Sequence, residues 1–291
     1  MPHLPPATVL VTGASTGIGE ACVLRLHRLG YRVFAGVRRP ADAERLVAAA
    51  SERLIPVMLD VTDAQQIRCA AALVEERTAP GGLLGLVNNA GIAVGGPLEF
   101  LPLSEVRAQL DVNVLGLLAV TQALLPAIRR ARGRVINIGS IAGRAATPFV
   151  GPYSMSKHAV EGLSDALRLE LAPDGIEVSL IEPGAVRTPI WDKGIETMRR
   201  IQGLLPPEAF QRYGKQLAVF GRLLAASSRR GVPPDDVVVA VVHALEAERP
   251  RTRYVVGPDA KLRALLRRFL PDRANDAILL LFLRRMEQRA T

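Results

Sequence analysis

At 291 residues, 49% apolar and 22% charged, the chain is too apolar to be disordered and long enough for one hydrophobic core plus decoration. Its two cysteines, Cys22 and Cys69, lie far apart and outside metal-ligand spacing, which argues against a disulfide framework and suits a reducing compartment. The net charge of +9 is uneven, because residues 260–291 alone hold eight Lys/Arg against three Asp/Glu.

Other classes fall away as quickly. The start, "MPHLPPATVL", lacks a charged segment followed by an apolar core, so it does not read as a secretion signal. No apolar run approaches the roughly 20 residues needed to cross a bilayer. The four histidines form no metal-binding pattern, so no metal is expected. The basic end has few aromatics, which disfavours a nucleic-acid partner.

Short β-branched runs alternate with amphipathic stretches in chain order. Residues 8–12, 31–37, 54–59, 84–89, 134–139, 177–182 and 253–257 read as strands, nearly continuous in hydrophobicity, as parallel strands covered on both faces should be. Between them, Ile18, Cys22, Leu26 and Leu29 recur at helical spacing, as do residues from Leu103 to Leu118. Strand and helix in alternation predict an α/β fold with a doubly wound parallel sheet between two helical layers. Residues 189–232 interrupt this order before the last strand. A tail after Gly257 carries Leu262, Leu265, Leu266, Phe269 and Leu270 opposite Arg263, Arg267 and Arg268.

The segment "TGASTGIG", Thr12 to Gly19, joins the first strand to the first helix. Glycines at 13, 17 and 19 allow a sharp turn and close approach of a ligand, and the helix start offers N–H groups to a pyrophosphate. Ser15, Thr16 and Ile18 fill the rest of that turn. After the second strand no carboxylate is available to hold ribose hydroxyls; Arg38 and Arg39 stand there instead. A guanidinium matches an added 2′-phosphate, so NADP(H) is favoured over NAD(H), with solvated loop charges as the plainer account.

Six motifs in order resemble the short-chain dehydrogenase/reductase family: Thr12–Gly19, "NNAG" at 88–91, Asn113 in "DVNVLG", Ser140 in "IGSIAG", Tyr153 with Lys157, and Pro183–Gly184 followed by Thr188. The segments "YRVFAGVRRPADAERL" and "YVVGPDAKLRALLRRFLP" look most like the steroid/retinol dehydrogenase-like branch and its bacterial relatives. The resemblance implies a Rossmann-type fold with residues 1–258 as one catalytic domain and 259–291 as a basic amphipathic tail. It implies that Tyr153 is the general acid/base at the substrate oxygen, its phenol lowered by Lys157 one helical turn away together with the positive nicotinamide of the oxidised cofactor. Ser140 would orient that oxygen, Lys157 would also bond the nicotinamide ribose, and Asn113 would hold a water linking Lys157 to solvent. Asp60 and Val61 would meet the adenine, though Asp60 would look the same as a helix cap. Asn89, Ala90 and Gly91 would shape the cofactor floor, with Pro183, Gly184, Val186 and Thr188 at its other end. Cys22 and His158 read as packing residues.

The apolar insertion, with Trp191 as a substrate contact, reads either as a lid over a steroid, retinoid or long-chain carbonyl or as added core. The tail reads as a membrane-surface helix or as one packed on the body or a neighbouring subunit. The family resemblance implies a homodimer or homotetramer through the helices holding Asn113 and Tyr153, in a cytoplasmic or membrane-associated protein. The leading expectation is an NADP(H)-dependent alcohol–carbonyl oxidoreductase. Its alternatives are an NAD-linked dehydrogenase and an NADP(H)-binding sensor or scaffold without turnover.

Overall fold

A computed structural model describes residues 7–49 and 51–288. Seven strands form one parallel sheet: β1 (Thr8–Val11), β2 (Arg32–Val37), β3 (Leu54–Met58), β4 (Gly85–Asn88), β5 (Arg134–Ile138), β6 (Glu177–Pro183) and β7 (Arg253–Val256). Each falls where the apolar runs predict it. Their order across the sheet is β3-β2-β1-β4-β5-β6-β7.

Alternate strand residues feed two cores. Val9 and Val11 of β1 face a layer built from α1 (Gly17–Arg28), α2 (Pro40–Ala48) and α9 (Pro234–Glu246), with Cys22, Leu26, Val237 and Val241 fully or nearly fully buried. Leu10 and Phe34 face the other layer, α3 (Ala64–Thr78), α5 (Leu117–Ala131) and α6 (Gly151–Leu171), where they meet Val74, Val120, Leu124 and Leu167. A strand covered on both sides must be apolar at every position, which is why the sequence shows continuous runs and no alternation. Burial lifts the Cys22 thiol to about 12, so it packs as an inert apolar group. His158, expected to pack, is instead exposed on the outer face of α6, with Nδ1 2.8 Å from the Ser154 carbonyl.

Strand order reverses between β1 and β4, and in such sheets the crevice at the carboxyl ends of those strands is where ligands bind. The helix α4 (Leu103–Leu110) runs through a π-helical turn, Asp111–Gly116, into α5. The continuous helix Leu103–Ala131 is long and apolar enough to span a bilayer by length and composition. Reading for unbroken apolar runs misses it, because Asp111, Asn113 and Thr121 interrupt the pattern. Here it packs on the sheet through Val120, Leu124 and Ile128. The insertion forms α7 (Ile190–Gln202) and α8 (Pro207–Arg230), and the tail forms α10 (Pro258–Phe269) and α11 (Asp272–Gln288).

Candidate active site

The reversal between β1 and β4 puts two glycine-bearing turns side by side. Gly13 and Gly17 have φ of +62° and +64°, the left-handed region that favours glycine, and a Cβ on Gly13 would stand 2.8 Å from the Ala90 Cα. Thr12 Oγ1 accepts from the N–H groups of Asn89 and Ala90, both at 2.9 Å. Asn89 Nδ2 returns the contact, donating to the carbonyls of Thr12 and Gly13 at 3.0 Å. Arg45, on α2, donates to the Ser15 carbonyl and pairs with Glu20, bracing the turn from outside.

Thr16, the residue before α1, is extended and its side chain does not cap the helix. The first N–H groups of α1 therefore keep their capacity for an anion. They open on a cavity of about 150 Å³, whose wall includes Gly13, Ser15, Thr16, Gly17 and Ile18 from the turn, and Arg38, Asp60 and Val61 beyond β2 and β3. Asn89, Ala90 and Gly91 form its floor and Thr188 its far edge. Uncapped N–H donors beside a glycine turn, with a cation and a carboxylate at the other end, fit a dinucleotide.

Two predicted cofactor residues lie on neither cavity wall described here. Gly19 is a packing glycine: a Cβ there would stand 2.2 Å from the Gly13 carbonyl oxygen. Arg39 turns away, its Nε donating to Asp42 Oδ2 at 3.0 Å, because the next helix offers an acid three residues on. Arg38 stays on the wall and faces Asp60 at 3.9 Å. Asp60 is not the cap of α3; Asp63 is, accepting from the N–H groups of Gln65 and Gln66, while Asp60 Oδ1 accepts from the N–H and hydroxyl of Thr62. Sequence reading passed over Lys193, on α7, whose Nζ lies 3.5 Å from Thr16 Oγ1 on the same wall. Only the folded path of the insertion brings it there.

A larger cavity of about 540 Å³ adjoins the first, sharing Ile18, Asn89 and Thr188. Ser140, Tyr153, Lys157 and Asn113 all reach it, as do Pro183, Gly184 and Val186. Ser140 leaves the end of β5 and its Oγ accepts from the Ala142 N–H at 3.1 Å. The Ser140 hydroxyl and the Tyr153 phenol line the same cavity. Lys157 sits one helical turn past Tyr153, 7% exposed, and donates from Nζ to the Ile138 carbonyl at 2.7 Å. Its ammonium lies 5.7 Å from the centre of the Tyr153 ring.

Within the protein alone, burial raises the Tyr153 phenol above its ordinary value of 10.0, and the neighbouring Ser140 hydroxyl acts in the opposite direction. Burial pushes the Lys157 ammonium down to about 8, and its Nζ donates to the Ile138 carbonyl.

Asn113 occupies the π-helical turn, a distortion common where a side chain must be re-aimed. Its Oδ1 accepts from the Ile92 N–H at 2.9 Å, and its Nδ2 donates to the Ile92 carbonyl at 3.1 Å and Ser156 Oγ at 3.1 Å. Gln109, fully buried one turn earlier, accepts from the Val94 N–H at 2.7 Å and donates to the Ile92 carbonyl at 2.8 Å. Together they pin the strand-like stretch that follows the cofactor floor.

The insertion adds core and also lines the larger cavity. Ile201, Leu205 and Ala209 bury themselves against Val94 and Leu101 as a small second core. Ile190, Trp191, Met198 and Phe220 face the larger cavity, and Trp191 Nε1 donates to the Val186 carbonyl at 2.6 Å. The tail packs on the body: α11 supplies Leu279, Phe282 and Leu283 to the cavity, and Asp259 Oδ2 of α10 accepts from the Ala185 N–H at 2.9 Å. The stripe on α10 points outward, leaving Leu262, Leu265 and Phe269 exposed, whereas Arg263 faces in.

A family model described as short chain dehydrogenase matches residues 7–199. The chain belongs to the short-chain dehydrogenase family. Mouse retinol dehydrogenase 5 is 41% identical to this short-chain dehydrogenase over 288 residues, 97% of the chain and 90% of the relative. Bovine 17-beta-hydroxysteroid dehydrogenase type 6 is 38% identical, over 95% and 89%. Among solved structures, a Burkholderia cenocepacia short chain dehydrogenase in complex with NADP is 28% identical with a TM-score of 0.71, over 94% of this chain and 98% of that one. A Burkholderia phymatum short chain dehydrogenase/reductase in complex with NAD is 25% identical with a TM-score of 0.77, over 92% and 95%. This short-chain dehydrogenase is thus a nicotinamide-dependent oxidoreductase acting on CH–OH groups, of the retinol and hydroxysteroid dehydrogenase-like branch.

Proposed function

We propose that this short-chain dehydrogenase uses NADP(H) to interconvert an alcohol and a ketone or aldehyde on a bulky apolar substrate, a steroid, retinoid or long-chain carbonyl, with Tyr153 as general acid/base. The observation that carries this reading is that Ser140, Tyr153, Lys157 and Asn113 line one cavity that adjoins the glycine-turn cavity, with the Lys157 ammonium 5.7 Å from the centre of the Tyr153 ring. The wall of the larger cavity, with Met198, Phe220 and Phe282 among its residues, suits an apolar body. The names of the retinol and 17-beta-hydroxysteroid relatives support the same substrate class.

Each side chain has a stated task. Gly13 to Ile18 and the open start of α1 hold the pyrophosphate, Arg38 the 2′-phosphate, and Asp60 and Val61 the adenine. Asn89 to Gly91 and Pro183 to Thr188 bracket the nicotinamide, whose ribose Lys157 bonds. When bound, the nicotinamide supplies or accepts the hydride at the substrate carbon. Ser140 donates to the substrate oxygen. In reduction Tyr153 gives its proton to that oxygen as the carbonyl becomes an alcohol; in oxidation the phenolate takes it. A buried, protonated phenol is ready to act as the acid. Oxidation needs the phenolate, so its rate should rise with pH. Asn113 holds the Ile92 turn and a water leading from Lys157 to solvent. Trp191 covers the substrate.

A second reading, an NAD-linked enzyme, draws support from the diversion of Arg39 to Asp42, which leaves Arg38 as the single phosphate partner after β2. Residues 1–258 are read as one catalytic domain. Exposed Leu115, Met155 and Leu169, on the helical run through Asn113 and on α6, suit a homodimer or homotetramer. The outward stripe on α10, with exposed Ile278, Leu280 and Leu281 on α11, suits peripheral contact with a membrane.

The test is Tyr153→Phe, assayed against a panel of steroids, retinoids and aliphatic carbonyls with both cofactors. Turnover should fall about 10³-fold, while NADPH affinity, read by fluorescence titration, falls far less, since Tyr153 is one of many residues expected to line the cofactor site. Retained turnover refutes the assignment.

A further inference from the structure

The wall that the tail lends to the larger cavity is apolar except at Asp259 and Arg263 of α10. Arg263 of α10 is half-buried and lines that cavity, with Asp259 one turn before it and Leu279, Phe282 and Leu283 of α11 around it. Its Nη2 donates to the Ala145 carbonyl at 2.7 Å and to Thr147 Oγ1 at 2.9 Å. Both partners are neutral. A guanidinium carries five N–H donors, and these two bonds occupy only one nitrogen.

Neighbouring arginines are treated differently. Arg267, one turn on, pairs with Asp272 at 2.5 Å, and Arg144, beside Ala145, donates to Glu182 at 2.5 Å. Arg263 has no ion pair among the described residues. Asp259 reaches it only as a distant charge, because that carboxylate is held by the Ala185 N–H. A charge taken out of water is retained at a cost unless something pairs with it.

We propose that Arg263 is an anchor for a carboxylate on the substrate, so that the enzyme takes apolar hydroxy or oxo acids in preference to their neutral counterparts. This rests on the reading of the larger cavity as the substrate site. Ser140 and Tyr153 hold the reacting oxygen at one wall, apolar side chains surround the body, and the guanidinium receives the carboxylate through charge-assisted bonds from Nε and Nη1. Asp259 faces the same space and tempers the attraction, so the preference is moderate. Arg263 is a binding residue here and takes no part in proton or hydride transfer.

The experiment uses the full chain with NADPH and two matched pairs: dodecanoate with its methyl ester as unreactive probes, and a long-chain oxo acid with its methyl ester as substrates. By calorimetry the wild type should bind the acid about tenfold more tightly than the ester. Arg263→Gln should bring the acid down to the ester's affinity and leave the ester unchanged; Arg263→Lys should keep part of the preference. Unaltered NADPH affinity in both variants reports an intact fold. Equal binding of acid and ester by the wild type overturns the proposal. So does an Arg263→Gln variant that weakens both alike, which would make the residue a tie between tail and body. The two readings fail separately: an Arg263-dependent preference alongside an active Tyr153→Phe variant sinks only the acid/base assignment. Loss of turnover in that variant with no acid preference sinks only the anchor.

Discussion

Replacing Lys157 by methionine tests whether the site is stabilised at the expense of the fold. Burial holds the ammonium at about 8 against an ordinary 10.5. A folded-state value below the unfolded one means that the native protein binds fewer protons than the unfolded chain between those two pH values. Stability therefore rises with pH from about 8 to 10.5, and the full penalty applies below 8. At pH 7 that penalty is about 3 kcal/mol. Methionine removes it but also removes the bond to the Ile138 carbonyl, a loss of roughly 1–1.5 kcal/mol. Lys157→Met should thus be more stable than wild type by about 2 kcal/mol at pH 7, a rise in Tm of roughly 4 °C. The gain should disappear by about pH 10, where the wild-type lysine is neutral in the fold. Urea denaturation of the cofactor-free proteins at pH 7 and pH 10 measures both, and turnover should be lost throughout. A variant less stable at pH 7, or a difference that ignores pH, refutes the reasoning.

Two further changes probe the neighbouring groups. Arg38→Asp sets a second carboxylate opposite Asp60 and should weaken NADPH binding at least about tenfold while leaving NADH equal or better; an unchanged preference, read by fluorescence titration, removes Arg38 from cofactor selection. Asn113→Ala strands the Ile92 N–H, while Gln109 still donates to the Ile92 carbonyl and Ser156 to the Tyr153 carbonyl, so unfolding should become easier by roughly 1–3 kcal/mol. A neutral result by urea titration would mean that water replaces the amide.

Much of the site was legible because its motifs combine local geometry with fixed order. Gly13 and Gly17 declare left-handed turns, and Tyr153 and Lys157 declare a helical neighbour pair, each within a few residues of chain. The polar residues that hold these turns to one another were harder to see. Thr12, Asn89 and Gln109 act across 15 to 78 positions of sequence; the motifs contain Thr12 and Asn89 without showing that they bond to each other, and nothing beside Gln109 marks it. Spacing likewise showed a cation near Tyr153, but not that Lys157 is buried or that it donates to the Ile138 carbonyl.

The amino-acid sequence by itself determined the seven strands, their parallel arrangement and the order of the cofactor and catalytic motifs. Continuous β-branched runs can only be covered on both faces, and a glycine turn before a helix has few other uses. Tertiary structure alone decided that Lys193 reaches Thr16, and that α10 turns Arg263 inward and Leu262, Leu265 and Phe269 outward. Hydrophobic periodicity says which face of a helix is apolar. What that face meets depends on where the rest of the chain has left an opening.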